Sequence, residues 1–277
     1  MVTERMADLS RRVSIIVAGG GLTGACAAMA AAQKGKDVLL VERSGMLGGL
    51  ATSGLMTALI ASGRCFGGYG PEFVRELHRR GATDPAHCRG HSWVPYQNEP
   101  MKRLLDEKVL AAGVDLLLYT SVVQVRKEGR RLAGIVLANQ EGLEEIAADV
   151  FIDATGDGIL SVLAGEDFEC GDPDGRTQAP TMVAYYADVD MDRCFREAEP
   201  YGGFYPLLNG LLPLAVRDGF IPEPDPHHPG PFPIGDGLVV VNAGHVFGAD
   251  CLSGRGLTDA TIRGRKLAYG YYQFYKK

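Results

Sequence analysis

Val13-Ser14-Ile15-Ile16-Val17-Ala18-Gly19-Gly20-Gly21-Leu22-Thr23-Gly24 is the stretch of sequence that decides the fold. Its β-prone residues run directly into glycines, and the alanine-rich run over 22–32 predicts a helix because no β-branched run interrupts it. Gly35 ends this helix, and a second apolar strand then runs to the acid Glu42. Strand, glycine turn, helix, strand and acid, in this order, are typical of a dinucleotide-binding βαβ unit.

Each glycine of the turn has its own physical reason. Gly19 lets the chain leave the strand in a turn that a Cβ would obstruct, and Gly24 lets the helix pack tightly on the strand. Gly21 lets the backbone approach a pyrophosphate, which then lies on free N–H groups at the helix N-terminus. Glu42 follows 18 positions after Gly24, close to the spacing expected for a carboxylate that binds a ribose hydroxyl.

The same stretch permits two other interpretations. Residues 13–32 contain no charged side chain, so they are long enough for a transmembrane helix, and Cys26 stands where a lipoprotein-type signal would be cleaved. However, four glycines weaken a membrane helix, and the residue three places before the cysteine is Thr23 instead of leucine. The acid at the end of the second strand would also be unexplained. We therefore expect no membrane span.

Composition places the chain among ordinary globular proteins. Its 277 residues, 46% hydrophobic and 22% charged, suffice for one large domain or two interleaved ones. A net charge of −6 and a pI near 5.6 show no excess of basic residues of the kind that nucleic-acid binding requires. Six cysteines without a CxxC pair favour reduced thiols and a cytoplasmic location. They are Cys26, Cys65, Cys88, Cys170, Cys194 and Cys251.

Three loop segments contain glycine or histidine clusters. Gly48 and Gly49 suggest a second approach of backbone to a cofactor, although a plain surface turn explains them equally well. The segment His87-Cys88-Arg89-Gly90-His91 has three metal-type side chains but no companion cluster, so we interpret it as a polar loop and predict no metal site. We interpret His227-His228, inside a proline-rich segment, as solvated.

Patterns along the rest of the first half predict an α/β domain. Glycines end two predicted helices, and apolar residues recur at helical spacing in the second of them. A strand follows, and then three β segments joined by glycine-containing turns, which together predict a β-meander inserted after a parallel strand. The predicted helices are 72–80 and 98–112, and the predicted β segments are 114–118, 121–126, 132–138 and 144–152.

The last of these β segments ends in Asp153-Ala154-Thr155-Gly156-Asp157-Gly158, which places a second small-residue turn at the carboxyl edge of the sheet. The βαβ unit, Glu42, the Leu47-Gly48-Gly49 run, the helix at Met101-Lys102-Arg103-Leu104-Leu105-Asp106-Glu107 and this turn together resemble the FAD-dependent oxidoreductases of the glutathione-reductase-like superfamily. The nearest branch is the bacterial FAD-dependent oxidoreductases related to fumarate reductase flavoprotein subunits and thiazole-synthesis-type flavoproteins. The resemblance covers most of 13–165 and, more loosely, 236–277.

The resemblance implies a fold and a set of cofactor contacts. The implied fold is a Rossmann-like parallel α/β sheet with an inserted β-meander, plus a partial substrate or cap domain. The first glycine turn would hold the FAD pyrophosphate, Glu42 the adenosine ribose and the backbone at Val122 the adenine, with Val123 as the competing assignment. The implied cofactor-binding residues are Gly19, Gly21, Gly24, Glu42, Arg43, Gly48, Gly49, Val122, Thr155, Gly156 and Asp157.

The second half of the chain has weaker patterns. We expect an FAD-binding domain over 1–165 and a substrate-facing cap region over 166–277. Thr258 is a predicted N-cap for a helix over 259–275, and the prolines of 221–235 predict an exposed loop. A strand-like pattern covers 178–188, a short helix is expected within 200–219, and a clear strand covers 238–242.

His245 and Arg255 are the candidates for substrate-side chemistry, chosen for loop position and side-chain type. A packing histidine and a surface arginine are the alternatives for the same two residues. With FAD bound, hydride or electrons would pass from an unidentified organic substrate to a second acceptor. A non-catalytic nucleotide-binding fragment or subunit of a split flavoprotein is one alternative. An NAD-dependent dehydrogenase is the other, and the second turn after a β-meander favours FAD over NAD.

The resemblance also leads to an expectation about the end of the chain. Family members normally continue past such a helix, with a last strand and a helix start that touch the flavin, whereas this chain stops at Lys277. We therefore expect an N-terminal fragment, a natural truncation or one piece of a split protein. Its expected partners are a small-molecule substrate and either a second copy of itself or a complementary C-terminal polypeptide.

Overall fold

The computed structural model describes residues 9–60, 67–83, 93–223, 225 and 230–277. The chain divides into two compact units. The first comprises Met1–Gly54, Ser62–Ala82 and Asn98–Phe168, and the second comprises Leu55–Ala61, Thr83–Gln97 and Glu169–Lys277. The His87–His91 cluster, His227, His228, Cys65 and Cys88 lie outside the described residues.

The first unit is built on a six-stranded sheet. Its strands are β1 (Leu9–Ala18), β2 (Val38–Val41), β5 (Asp115–Leu117), β6 (Ser121–Glu128), β7 (Arg131–Asn139) and β8 (Gly142–Asp153). They lie in the order β5-β2-β1-β8-β7-β6. The four strands from β5 to β8 in this order are parallel, whereas β6 and β7 pair antiparallel. This mainly parallel sheet with a meander confirms the predicted fold class.

Strand β8 belongs to both parts of the sheet. Its residues 142–147 pair antiparallel with β7, and its residues 145–153 pair parallel with β1. The meander predicted after β5 therefore shares its last strand with the parallel sheet. As a result, the turn that follows Asp153 lies at the same sheet edge as the turn that follows Ala18, because these two residues are register partners.

Helices cover the sheet of the first unit. The helices are α1 (Leu22–Ala32), α2 (Gly70–Arg79), α3 (Asn98–Ala111) and α4 (Ile159–Leu163). Helix α1 packs against β1, β2 and α3, and α4 packs against β6 and β8. All four residues of β2 are buried, as expected for a parallel strand with both faces covered. The core on the α4 side includes Ile16, Leu39, Ile135, Ile146 and Leu160.

The second unit has two small antiparallel sheets and a separate core. The sheets contain β3 (Ala58–Ile60) with β4 (Trp93–Pro95), and β9 (Ala184–Tyr186) with β10 (Pro231–Gly235) and β11 (Leu238–Val241). The helices are α5 (Met191–Ala198), α6 (Phe204–Arg217) and α7 (Gly254–Lys276). Leu212, Ile221, Val239, Val241 and Tyr271 are members of the core.

Several predictions for the second unit are wrong in part. The strand-like pattern over 178–188 yields only the three-residue β9, and α5 has no predicted counterpart. Within 221–235 the exposed-loop prediction fails, because 231–235 forms β10, and Ile221 and Asp225 are each 2% exposed. Strand β10 lies at the edge of its sheet, where prolines are tolerated although they cannot donate a ladder hydrogen bond.

Helix α7 begins one turn earlier than predicted. Its N-cap is Ser253, whose hydroxyl oxygen accepts a hydrogen bond from the Gly256 N–H at 3.0 Å. The predicted cap, Thr258, lies inside the helix and donates to the Gly254 carbonyl at 2.7 Å. The Asp250 carboxylate accepts from the Ser253 hydroxyl and the Leu252 N–H, so the turn before the helix is fixed at Ser253.

The membrane alternative for residues 13–32 does not match the structure. This stretch forms the end of β1, a glycine turn and the 11-residue α1. Among the helices that the structure describes, none has the length and apolar character needed to span a bilayer.

Candidate cofactor-binding site

Two of the predicted glycines are needed for close packing at the end of β1. Gly19 has φ 97°, and a Cβ added there would collide with the carbonyl oxygen of Ala154, in the turn after β8. A Cβ added at Gly24 would collide with the carbonyl oxygen of Gly19, because the first turn of α1 rests directly on the glycine turn. These contacts confirm the steric reasons predicted for Gly19 and Gly24.

Gly21 has open space in the direction in which a side chain would point. It is the N-cap of α1 with φ −59°, and a Cβ added there would meet no described atom within 4 Å. No side chain of the described residues forms a capping hydrogen bond, and the first turn of the helix contains no acidic residue. The helix N-terminus therefore keeps its partial positive charge, with no described side chain capping its N–H groups. Such an N-terminus is a ready site for a phosphate.

The Glu42 carboxylate faces the glycine turn. One of its oxygens accepts from the Gly20 N–H at 2.6 Å, the other accepts from the Ser44 N–H at 2.7 Å, and the residue is 9% exposed. A Cβ on Gly20 would lie 2.6 Å from Leu47 and 2.8 Å from the Cβ of Glu42. Gly20, to which the sequence analysis assigned no role, thus makes room for the acid. The signal in the sequence was the run of three consecutive glycines, Gly19, Gly20 and Gly21, of which the motif needs only two.

The loop after Glu42 returns to the glycine turn. The Gly48 N–H donates to the Gly20 carbonyl at 2.8 Å, and Gly21 and Gly48 form a parallel β-bridge. Gly48 and Gly49 have φ values of 106° and 55°, and a Cβ on Gly49 would lie 3.1 Å from the Cα of Gly21. The alternative of a plain surface turn is therefore wrong, because Gly48 and Gly49 pack against the glycine turn that follows β1.

A cavity of about 230 Å³ opens at the carboxyl edge of the parallel strands. It is lined by Gly19, Val41, Glu42, Arg43, Thr120, Ser121, Val122, Thr155 and Ile159. Gly19, Glu42, Arg43, Val122 and Thr155 are predicted cofactor residues, and the structure brings them together here. Val122 lines the cavity, whereas its competitor Val123 does not and is 43% exposed. Ligands of open α/β sheets bind at this edge.

Four residues that line the cavity were missed by sequence reasoning. They are Val41, Thr120, Ser121 and Ile159. Thr120 and Ser121 immediately precede Val122, and the Thr120 N–H donates to the Glu42 carbonyl at 3.0 Å. The position of this polar pair at the start of β6 was the available signal. The remaining predicted residues, Gly21, Gly24, Gly48, Gly49, Gly156 and Asp157, lie at the adjoining turns and not in the cavity wall.

Asp153 organises the second turn. Its carboxylate accepts from the Thr155 N–H and hydroxyl at 3.1 and 2.7 Å, and from the Ser161 N–H and hydroxyl at 2.9 and 3.0 Å. The Thr155 hydroxyl in turn accepts from the Ile159 N–H at 2.9 Å, at the start of α4. Burial raises the pKa of Asp153, but these hydrogen bonds outweigh it and the net shift is downward. The ionised acid therefore fixes the turn.

Arg43 and Asp157 meet at the rim of the site. Their side chains are 71% and 64% exposed, and the guanidinium lies 3.8 Å from the carboxylate. Gly156, between Thr155 and Asp157, has φ 81°. An exposed pair at this separation contributes little to stability, so Arg43 is available to an anionic ligand at small cost.

The two candidates for substrate-side chemistry lie in the second unit. His245 has a fixed partner, because its ring Nδ1 lies 2.7 Å from the Asp225 carboxylate. Arg255 is not in a loop as predicted but in the first turn of α7, where it is exposed and makes no ion pair with a described residue. In the part of the chain that the structure describes, no cluster of His, Cys, Asp or Glu could hold a metal ion.

The glycine turn, the acid after the second strand and the second turn beside them have the arrangement expected of a dinucleotide-binding site. A family model described as FAD dependent oxidoreductase matches residues 14–277. The chain belongs to this family, and FAD is the family's cofactor. None of the curated proteins compared with the chain matches it.

Three solved structures with detectable similarity follow. A geranylgeranyl bacteriochlorophyll reductase-like protein from Thermoplasma acidophilum is 16% identical, with 91% of this chain and 61% of that chain covered and a TM-score of 0.49. A flavoprotein/dehydrogenase from Cytophaga hutchinsonii is 19% identical, with 64% and 47% covered and a TM-score of 0.46. THI4 from Thermovibrio ammonificans is 20% identical, with 56% and 64% covered and a TM-score of 0.43. This chain spans less than two thirds of the length of each.

The residues of the first unit fit FAD. The open space at Gly21 and the uncapped start of α1 suit a pyrophosphate, which needs close backbone approach and N–H donors. Hydrogen bonds from the Gly20 and Ser44 N–H groups direct the Glu42 carboxylate at the same turn. Each carboxylate oxygen accepts one backbone N–H and retains a lone pair for a ribose hydroxyl.

Proposed function

We propose that this chain is an FAD-dependent oxidoreductase that transfers a hydride or electrons between an organic substrate and a second acceptor. Family membership supports FAD-linked redox chemistry. The observation that carries the proposal is the open, uncapped glycine turn with the Glu42 carboxylate directed at it. Bound FAD supplies the hydride chemistry, and the protein supplies binding, orientation and electrostatics.

In this proposal the first turn of α1 binds the pyrophosphate. Gly19 and Gly24 hold the helix start against the end of β1, and Gly21 leaves room for the phosphates. The first-turn N–H groups donate to phosphate oxygens, and the helix dipole adds a favourable charge. Glu42 accepts hydrogen bonds from the ribose hydroxyls while its contacts with Gly20 and Ser44 keep it oriented.

The other predicted residues surround the same ligand. Val122 presents its backbone to the adenine at the cavity wall, and Arg43 lies at the rim beside the ribose and phosphates. Gly48 and Gly49 keep their loop close to the glycine turn, along the ribityl side. Thr155, Gly156 and Asp157 close the cofactor from the second turn. His245 and Arg255 are proposed as substrate-side groups of the second unit.

Flavin content of the purified 277-residue chain tests this function. We expect yellow protein after incubation with FAD and desalting, and release of intact FAD on denaturation. Colourless protein that still binds ADP would contradict the enzyme and support a non-catalytic nucleotide-binding subunit. Uptake of NAD without flavin would support the NAD-dependent dehydrogenase instead. A second copy or a complementary C-terminal polypeptide as partner stays a prediction.

A further inference from the structure

A cavity of about 380 Å³ lies in the first unit, where the end of α2 meets one face of α3. The described residues that line it are Arg79, Arg80, Pro100, Arg103 and Glu107. Its volume lies within the range of small-molecule sites. The cavity at the carboxyl edge of the sheet has none of these residues in its wall, so the proposed FAD site does not account for this second cavity.

The lining of this cavity, which we call the arginine cavity, is positively charged. Three of its five described residues are arginines, and Glu107 is the only acid among them. The chain as a whole has a net charge of −6, so this local excess of positive charge is opposite in sign to the charge of the whole chain. A cleft lined by charges of one sign raises the local concentration of ions of the other sign. The arginine cavity therefore attracts anions.

Acids fix two of the three arginines. The Arg80 nitrogens Nη1 and Nη2 donate to the two carboxylate oxygens of Glu107 at 3.2 and 2.6 Å, and the buried Arg80 Nε lies 3.7 Å from the Glu76 carboxylate. Arg79 donates from Nε and Nη2 to one Glu76 oxygen at 3.2 and 2.9 Å. Each terminal nitrogen of an arginine carries two N–H groups. Both arginines therefore retain donors for a ligand while their guanidinium planes are already oriented.

Arg103 is the arginine of the cavity that has no acid of its own. It is exposed, and it makes neither a hydrogen bond nor an ion pair with a residue that the structure describes. The acids about one turn away on α3 are Glu99 and Glu107, and residues at this spacing on a helix are neighbours. However, Glu99 accepts from Lys102, and Glu107 accepts from Arg80. The N–H groups of Arg103 are therefore available to an anion.

The chemistry of the lining favours a ligand that bears phosphate. The planar fork of arginine matches phosphate and carboxylate oxygens, and three such groups around one cavity suit a multiply charged anion better than a single carboxylate. None of the described lining residues is aromatic, and Pro100 is the only apolar one, so a nucleobase would have no ring to stack on. A phosphorylated sugar or polyol, whose body carries hydroxyl groups, suits these polar walls.

We propose that the arginine cavity binds a small phosphorylated sugar or polyol, with Arg79, Arg80 and Arg103 as its phosphate-binding residues. The alternative is a set of surface ion pairs that binds no ligand, since exposed ion pairs are common and contribute little to stability. Two features count against this alternative: Arg103 pairs with no described acid, and the lining holds more arginines than acids. The proposal does not depend on FAD, because neither these residues nor the probes below involve the cofactor.

Calorimetric titration of fructose bisphosphate into the 277-residue chain tests the proposal. We expect saturable binding that weakens about fivefold or more in Arg103→Gln, because one guanidinium contact is lost. Glu107→Gln should bind more tightly than wild type, because it removes the only acid of the described lining. Arg75 is an exposed arginine of α2 outside the lining, and Arg75→Gln, the matched control, should bind like wild type. Gly21→Ala should also bind like wild type, and a loss of affinity there would place the probe at the glycine turn and overturn the proposal.

Chemical modification of the wild-type chain gives a second measurement that needs no variant. Phenylglyoxal should modify Arg79 and Arg103 several-fold more slowly when fructose bisphosphate is present, as mapped by mass spectrometry, with Arg75 as the internal reference. Equal protection of Arg75, unchanged affinity in Arg103→Gln, or no saturable binding would overturn the proposal and leave a surface network of ion pairs. Tighter binding of citrate than of fructose bisphosphate would show a carboxylate site, and binding only to vesicles that contain phosphatidic acid would show a membrane surface. Either result would also contradict the proposed ligand.

Discussion

Glu42 is the side chain on which the proposed cofactor site depends most. It is nearly buried, and its two carboxylate oxygens accept hydrogen bonds from the backbone N–H groups of Gly20 and Ser44. No other described side chain accepts a hydrogen bond from these two N–H groups. These two bonds join the glycine turn after β1 to the loop after β2. A single acid therefore shapes the turn and presents the oxygens proposed for the ribose.

Replacing Glu42 by glutamine should weaken both stability and binding. The amide NH₂ group must face the N–H of either Gly20 or Ser44, which leaves one buried donor without an acceptor. We expect the free energy of unfolding in urea to fall by about 1–3 kcal/mol. We also expect ADP affinity, measured by calorimetric titration, to fall at least about tenfold, or ~1.4 kcal/mol. Glu141→Gln, an exposed acid in the turn before β8, serves as the control, and equal ADP affinity in both variants would contradict the assignment.

Single residues were predictable where the motif is local. The glycines of the first turn and Glu42 are separated by one helix and one strand, so spacing alone identifies them. Asp153 and Gly20 were missed for different reasons. The contacts of Asp153 reach across the second turn to Ser161, and Gly20 is explained by the side chains of Leu47 and Glu42, which a Cβ there would meet. Such contacts depend on packing that local patterns do not encode.

At the scale of elements, the start of α7 offers a sharp test of the structure. Ser253 caps the helix and bonds the Asp250 carboxylate, whereas Thr258 donates to a helix carbonyl one turn further on. Ser253→Ala should therefore lower the free energy of unfolding by about 1 kcal/mol. Thr258→Ala, the matched control, should change it by less than about 0.5 kcal/mol. The reverse ranking in urea denaturation would place the cap at Thr258 and contradict the structure.

The elements show why prediction succeeded in one half of the chain and not in the other. Helix α1 is an alanine-rich run that ends before a glycine, and the meander strands are β segments joined by glycine-containing turns, so their predicted bounds lie within a few residues of the observed ones. Helix α7 has two cap-type residues, and the hydrogen bonds of Asp250 select the earlier one. Strand β10 contains prolines, which argue against a strand unless its edge position in the sheet is known.

At the scale of the whole chain, the two compact units have separate hydrophobic cores. The first unit contains the entire proposed FAD site, and its fold class and cofactor followed from sequence. The second unit contains the Asp225–His245 pair, of which only His245 was a candidate. Asp225 stands among prolines in a segment predicted to be exposed, and its burial depends on tertiary contacts. The pairing was therefore not predictable from the sequence.

The central claim is that the turn between β1 and α1 holds two linked phosphates on backbone N–H groups. Titration of ADP into the wild-type chain and Gly21→Ala tests it most directly, since the added Cβ meets no described atom within 4 Å and the φ of −59° suits alanine. The account predicts an unfolding free energy within about 0.5 kcal/mol of wild type. It also predicts a dissociation constant raised at least about tenfold, or ~1.4 kcal/mol. Unchanged ADP affinity in Gly21→Ala, or no ADP binding by the wild-type chain, would contradict it.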